Sequence, residues 1–274
     1  MDLVHIAKEI REIVSEKQKE LGLSFVEEDH IYHMNGKTDY PSVTSVIKKY
    51  YKVFDTIGIA NKNANGNEEK AKELILKWEE SSNYASNLGS RVHYFLEKRL
   101  IENHGNYKDV REPIFECDST QKKISDKMIK SGYDYLKLME ERGAVLLDTE
   151  MVLGHPELGY TGQPDKVWLI PNKDKTDFGI IITDWKTNKD ESFEVNRFTT
   201  KMYKPFDKYH STSLEHYYVQ LPLYGKLLLK MLSESKYGGI KIYGYIICHL
   251  KKSGECKEFR VPKDVSDIVF NMNL

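Results

Sequence analysis

The sequence predicts a single α/β domain with a mainly helical N-terminal part. Three observations predict it. Residues 1–143 contain long segments with apolar residues at helical spacing. After Gly143 the texture changes to short apolar runs separated by turn residues: "AVLLDTEMVLG", "GYTGQPDKVWLI" and "FGIIITDWKT". A helical segment then precedes two further strand-like runs, "GIKIYGYIICHL" and "CKEFRVP". No repeat, low-complexity tract or linker marks a boundary. Residues 1–274 therefore read as one domain, with 1–143 mainly helical and 144–262 carrying the sheet.

In chain order, Val4, Ile6, Ile10 and Ile13 among charges predict an amphipathic helix over 4–20. "SFVEEDHIYHMNGKTDYP" reads as strands with a hairpin, for which Asn35-Gly36 is the strongest turn cue. Ser42 or Thr44 can cap a short helix in "SVTSVIKKYY". Residues 67–104 are expected as helix in two pieces, broken near Ser81–Asn83 or Asn87–Gly89. "NHGNYKD" reads as a loop. A long helix follows over 119–143, with Ile124, Met128, Tyr135, Leu138 and Met139 on or near one face. "PNKDKTD" joins two strands as a hairpin loop, and 213–236 is helical. Residues 188–212 are polar, aromatic and give no clear pattern.

Formal net charge is −1, which excludes a basic protein that coats nucleic acid by charge alone, though not a local basic groove. The three cysteines, Cys117, Cys248 and Cys256, fit neither a C-x-x-C metal site nor a disulfide framework, and suggest a reducing compartment. The N-terminus lacks the basic and apolar regions of a signal peptide, and no apolar run approaches ~18 residues. An intracellular protein without membrane association is expected.

The chemistry concentrates at the end of "GIIITDWKT". Residues two apart on a strand share a face, so Asp184 and Lys186 project together while Trp185 points away. Alone, the pair reads more readily as a surface salt bridge. If "GQPDKVWLI" and "GIIITDWKT" form a hairpin about 171–177, Asp165 neighbours Asp184. Two carboxylates brought together need a proton or a cation, and oxygen ligands favour Mg²⁺ or Mn²⁺. With a lysine beside them, the set suits phosphodiester hydrolysis.

"GQPDKVW" followed by "IIITDWKT" resembles the core of the PD-(D/E)XK nuclease superfamily, with Asp165, Asp184 and Lys186 as signature. More narrowly it resembles the RecB-type branch that includes phage and mitochondrial-type exonucleases. The resemblance covers about residues 25–250 and implies a central mixed sheet flanked by helices. Gly89 and His93 in "GSRVHYFLEKRL" match the branch's Gly-x-x-x-His helix, which implies His93 as a metal ligand or a near-site residue; Glu97 lies one turn further on. Glu150 in "LLDTEMVLG" fits the branch's acidic strand position, with Asp148 a same-face competitor. Gln220 and Tyr224 in "YYVQLPLYGKLL" match its Gln-x-x-x-Tyr helix, although Pro222 between them implies a kink or a helix that begins nearby. "HIYHMNG" and "YPSVTSVI" are similar to the N-terminal pattern of phage and mitochondrial-type members.

The resemblance implies catalytic roles for Asp165, Asp184, Lys186, Glu150, Gln220 and Tyr224. It implies one or two Mg²⁺ or Mn²⁺ ions held by His93, Asp165, Asp184 and the Trp185 carbonyl. Relatives of the CRISPR-associated kind clamp an iron–sulfur cluster with four cysteines; three unsuitably spaced ones imply none here. No G-x-x-x-x-G-K-[ST] motif is present, so a stand-alone nuclease is expected rather than a helicase fusion. The expected activity is a deoxyribonuclease, an exonuclease on single-stranded DNA or DNA ends, working in replication, recombination or repair alongside proteins of those processes. A structure-specific endonuclease and a non-catalytic DNA-binding scaffold remain open. Arg197, Lys201, Lys204 and Lys208 interleaved with Phe198, Tyr203, Phe206, Tyr209, Tyr217 and Tyr218 suit contact with single strands.

Overall fold

The computed structural model describes residues 2–105, 108, 110 and 115–273; part of the loop expected over 103–109 lies outside them. Helix α1 (Leu3–Glu20) starts at Asp2, whose carboxylate accepts the Val4 and His5 N–H groups. It buries Ala7, Ile10 and Val14. Strands β1 (Ser24–Val26) and β2 (Ile31–His33) pair antiparallel through a turn at 27–30. The Asn35-Gly36 turn is present just beyond them, closing a Met34–Lys37 bridge with both central residues at positive φ, 51° and 71°. Asn-Gly is the pair that adopts this conformation most easily.

Helix α2 (Val43–Ile47) is capped by Ser42, and α3 (Thr56–Asn63) by Asp55. Helix α4 (Glu68–Asn103) runs unbroken, which corrects the expected break near Ser81–Asn83 or Asn87–Gly89. Serine and asparagine disfavour a helix by well under ~1 kcal/mol each, and the buried residues Leu88, Val92, Leu96 and Leu100 hold the helix in place. Gly89 has a steric reason to lack a side chain: a Cβ there would stand 3.1 Å from Thr187 Oγ1. Helix α5 (Ser119–Glu141) opens with a capping box between Asp118 and Gln121. It buries Met128, Tyr135 and Met139, whereas Leu138 turns out to be exposed. Arg91 joins the two long helices by pairing with Asp126 at 2.7 Å.

Strands β3 (Val145–Thr149), β4 (Leu153–His155), β5 (Tyr160–Gly162), β6 (Lys166–Pro171) and β7 (Phe178–Lys186) follow. The runs "AVLLDTEMVLG" and "GYTGQPDKVWLI" each divide in two, because β4 and β5 pair with one another apart from the main sheet. Helix α6 (Ser213–Leu232) crosses over to β8 (Ile242–Leu250), β9 (Cys256–Arg260) returns, and α7 (Lys263–Asn271) ends the fold. Pro222 lies inside α6 rather than at its start. Buried Leu221, Leu223, Leu227 and Leu228 supply the packing that offsets its lost hydrogen bond.

The main sheet has the order β3-β6-β7-β8-β9. Only β7 and β8 are parallel, so the sheet is mixed. Side-chain alternation sends Val167, Leu169, Ile180 and Ile182 to one face, against α1 and α6. Trp168, Trp185, Ile246 and Cys248 go to the other face, against α4 and α5. The result is an α/β architecture with helices on both sides of a five-stranded mixed sheet.

Candidate active site

The β6–β7 hairpin sets the site. Lys166 pairs with Thr183 and Pro171 with Phe178 across the 172–177 loop, so one step beyond the ladder Asp165 faces Asp184. That is the pairing expected from the sequence. Asp165 Oδ2 accepts the Trp185 N–H at 2.7 Å, which fixes the carboxylate across the strand end. His93, carried by α4 over the same edge, places Nδ1 3.6 Å from Asp165 Oδ2.

Glu150 completes the cluster by a backbone device. It follows β3 with φ +44°, a left-handed conformation that a non-glycine residue rarely holds. The reversal breaks the strand's alternation and turns Glu150 inward. Its N–H donates to the Asp165 carbonyl at 3.0 Å, and its own carbonyl accepts from Gln163 Nε2 at 3.1 Å. Ligand atoms of His93, Glu150 and Asp165 all lie within 4.8 Å of one another. Asp148, the alternative acidic residue, instead accepts the Thr149 N–H at 2.8 Å next to a bulge in β3. Glu97 accepts from Thr149 Oγ1 at 2.9 Å and pairs with Lys108 at 3.7 Å. His93, Glu97, Thr149, Glu150, Asp165 and Lys166 line a cavity of about 10 Å³, close to the space one water needs. A wider cleft of about 480 Å³ shares His93, Glu97 and Glu150 with it.

Asp184 and Lys186 do share a face, and they form an ion pair. Asp184 is not among the residues that meet the cluster's close spacing. Lys186 also lies over the Tyr217 ring, 4.5 Å from its centroid, and Tyr217 donates to Asn188 Oδ1 at 3.0 Å. Gln220 and Tyr224 stand behind this layer. Both are buried, and Gln220 Nε2 donates to Tyr224 Oη at 2.7 Å. Trp185 packs edge-on against Tyr135 on the opposite face, as its alternation requires, and its backbone meets the His93 ring.

The electrostatics follow from crowding. Burial, then Asp165, then Glu97 push the Glu150 carboxyl well above the usual range. Burial and Asp165 push Asp184 up to about 7, against the pull of Lys186. For Asp165 burial acts upward, but Lys166, Lys186 and the Trp185 N–H together hold it below the ordinary value. Burial lowers His93 despite Asp165, favouring the neutral imidazole that can ligate a metal. The Lys186 ammonium is held charged, because Asp184 and Asp165 outweigh its burial.

Two contributors were not singled out from the sequence. Lys166 is 1% exposed, 3.6 Å from Asp165 Oδ2 and 4.0 Å from the Trp185 ring centroid. Its signal was a charge set inside the apolar run "DKVWLI". Tyr217 was visible only as part of an aromatic stretch, although it precedes Gln220 by three residues on the same helix.

These residues fit a divalent cation. A neutral imidazole and two carboxylates converge, and Glu150 is short of positive compensation. Among the described residues no helix is long and apolar enough to cross a membrane. No protein-family model and no curated protein matches the chain.

Proposed function

We propose that this protein is a metal-dependent deoxyribonuclease of the PD-(D/E)XK type, close to the RecB-type branch, acting as an exonuclease on single-stranded DNA or DNA ends. One observation carries the reading. The hairpin register sets Asp165 against Asp184, with Lys186 beside the latter, while His93 and Glu150 converge on Asp165 from two other elements. A surface salt bridge does not bury its aspartate to 2% exposure, nor gather further carboxylates around it.

His93, Glu150 and Asp165 would hold Mg²⁺ or Mn²⁺, with Asp184 and the Trp185 carbonyl as further oxygen donors at the same strand end. The cation would supply charge to a scissile phosphate and make a water more acidic. Lys186 is positioned by Asp184 on one side and the Tyr217 ring on the other. From there it can orient the water and stabilise charge developing on phosphate oxygens. Gln220 and Tyr224 brace α6 behind the lysine.

The test is cleavage of end-labelled single-stranded and duplex DNA with Mg²⁺ or Mn²⁺. Wild type is expected to release short products from strand ends and to leave closed circular single strands intact. Asp165→Asn and Lys186→Met are expected to be inactive while folded. Near-normal cleavage by either variant overturns the site, and cutting of the circle overturns the exonuclease assignment.

A further inference from the structure

We propose that the β1–β2 hairpin is a base-stacking platform, on which Phe25, His30 and Tyr32 seat an unpaired nucleobase of a single-stranded nucleic acid beside the candidate metal centre. The inference rests on the nuclease reading and adds where the strand is gripped.

The hairpin has two jobs divided along its length. Leu23 and Phe25 share one face of β1, and Tyr32 and Met34 share the matching side of the second strand. Leu23 and Met34 are buried in the main core, and the Asn35 N–H donates to the Leu21 carbonyl at 2.7 Å. Phe25 and Tyr32 are register partners one step further out and remain only half-buried. Their ring centroids are 4.6 Å apart. His30, at φ 53° in the turn, folds its ring back over Phe25 with centroids 5.9 Å apart and planes within 13°. Strands of three residues are too short to stand alone. Their anchoring in the core makes the rings a fixed surface rather than a loose tip.

All three rings line the 480 Å³ cleft that reaches His93 and Glu150. That volume lies within the range of small-ligand sites. The occupant follows from the chemistry of the walls. Aromatic faces accept any base by stacking, without sequence preference. Glu27 on the same walls repels a bare phosphate, and Lys108 there is already engaged by Glu97 at 3.7 Å. The base therefore lies on the rings and its phosphate points toward the candidate metal centre, so that hairpin and centre hold adjacent parts of one nucleotide.

The experiment is fluorescence anisotropy of the full chain with two labelled probes of equal length. One is phosphorothioate-linked oligothymidylate, which resists cleavage; the other is the same backbone with abasic sites. Wild type is expected to bind the thymidylate probe about 5- to 150-fold tighter than the abasic one. The double variant F25L/Y32L is expected to lose that preference while keeping abasic binding, and Tyr32→Phe is expected to keep it. A double variant that retains the preference overturns the proposal. So does a wild type without preference; if that protein still cleaves DNA, the nuclease reading stands and only the platform falls. Should F25L/Y32L fail to fold, 2-aminopurine placed along the strand decides. Quenching on binding wild type supports stacking, and unchanged emission overturns it.

Discussion

Replacing Lys166 by methionine should destabilise the protein strongly without divalent cation and much less with it. The substitution keeps an apolar stem of similar length beside the Trp185 ring and removes only the ammonium. That ammonium is 3.6 Å from Asp165 Oδ2, a gross attraction of about 5 kcal/mol at an effective dielectric of ~20. Breaking a buried pair on one side costs about 3–5 kcal/mol, since the remaining charge is stranded. Asp165 retains His93 at 3.6 Å and the Trp185 N–H at 2.7 Å, so the low end, about 3 kcal/mol, is expected. For a chain of this length that is a fall of about 6 °C in thermal midpoint. A divalent cation held by His93, Glu150 and Asp165 would replace the missing charge. Thermal melts of wild type and variant, in EDTA and in excess Mn²⁺, should show the gap closing by more than half. Equal losses in the two buffers refute the link between Lys166 and a cation site, and no loss in EDTA refutes the buried pair.

Three further outcomes are expected. Lys186→Met should lower DNA cleavage at least ~100-fold, the scale of losing one charge-stabilising group; it also strands the buried Asp184, so the thermal midpoint should fall as well, and single-turnover assays on protein shown to be folded by circular dichroism check it. Gly162→Ala should destabilise by about 1–3 kcal/mol, because a Cβ there would meet the Tyr224 ring at 2.6 Å and Val43 at 2.7 Å; urea unfolding measures it. His216 stacks on Tyr51 with centroids 3.7 Å apart, and burial pushes its pKa from 6.5 down to about 4. A depressed histidine is neutral when folded but binds a proton when unfolded, so stability is present above pH ~6.5 and is lost as pH falls toward ~4. After allowance for partial exposure the loss is about 2 kcal/mol. His216→Phe should flatten that acid slope in pH-dependent melts, and an unchanged slope would assign it elsewhere.

Much of the scaffold was legible because it is local. Period-two alternation around a polar loop fixed how Asp165 meets Asp184, and of the two candidate caps, Ser42 and Thr44, Ser42 caps the helix. Other features depend on partners far along the chain. The continuity of α4 is decided by the packing of Leu88 to Leu100 on the sheet, not by its weak middle residues. The run "GYTGQPDKVWLI" reads as one strand, yet Tyr160–Gly162 finds its partner in β4 and Lys166–Pro171 finds its own in the main sheet. Glu150 and Asp148 looked equivalent because alternation was assumed through Thr149. A positive φ at Glu150 breaks that rule, and no residue type in "DTEM" signals it.

The placement of the two lysines has a consequence for substrate charge. Lys166 approaches the carboxylates from the Trp168 and Trp185 face, and Lys186 approaches from the Ile182 face. Neighbouring strand positions thus deliver cations to both sides of one strand end. Against Glu97, Glu150, Asp165 and Asp184 stand Lys108, Lys166 and Lys186, with His93 neutral. Fully ionised, the group keeps one excess negative charge, which adds to burial in pushing Glu150 and Asp184 toward protonation. One divalent cation reverses the sign to a single positive charge, the complement of one phosphodiester. On this balance, metal and DNA should bind cooperatively. Phosphate-backbone affinity should rise with Mn²⁺ in wild type and should not rise in Asp165→Asn, which anisotropy with the abasic probe can measure.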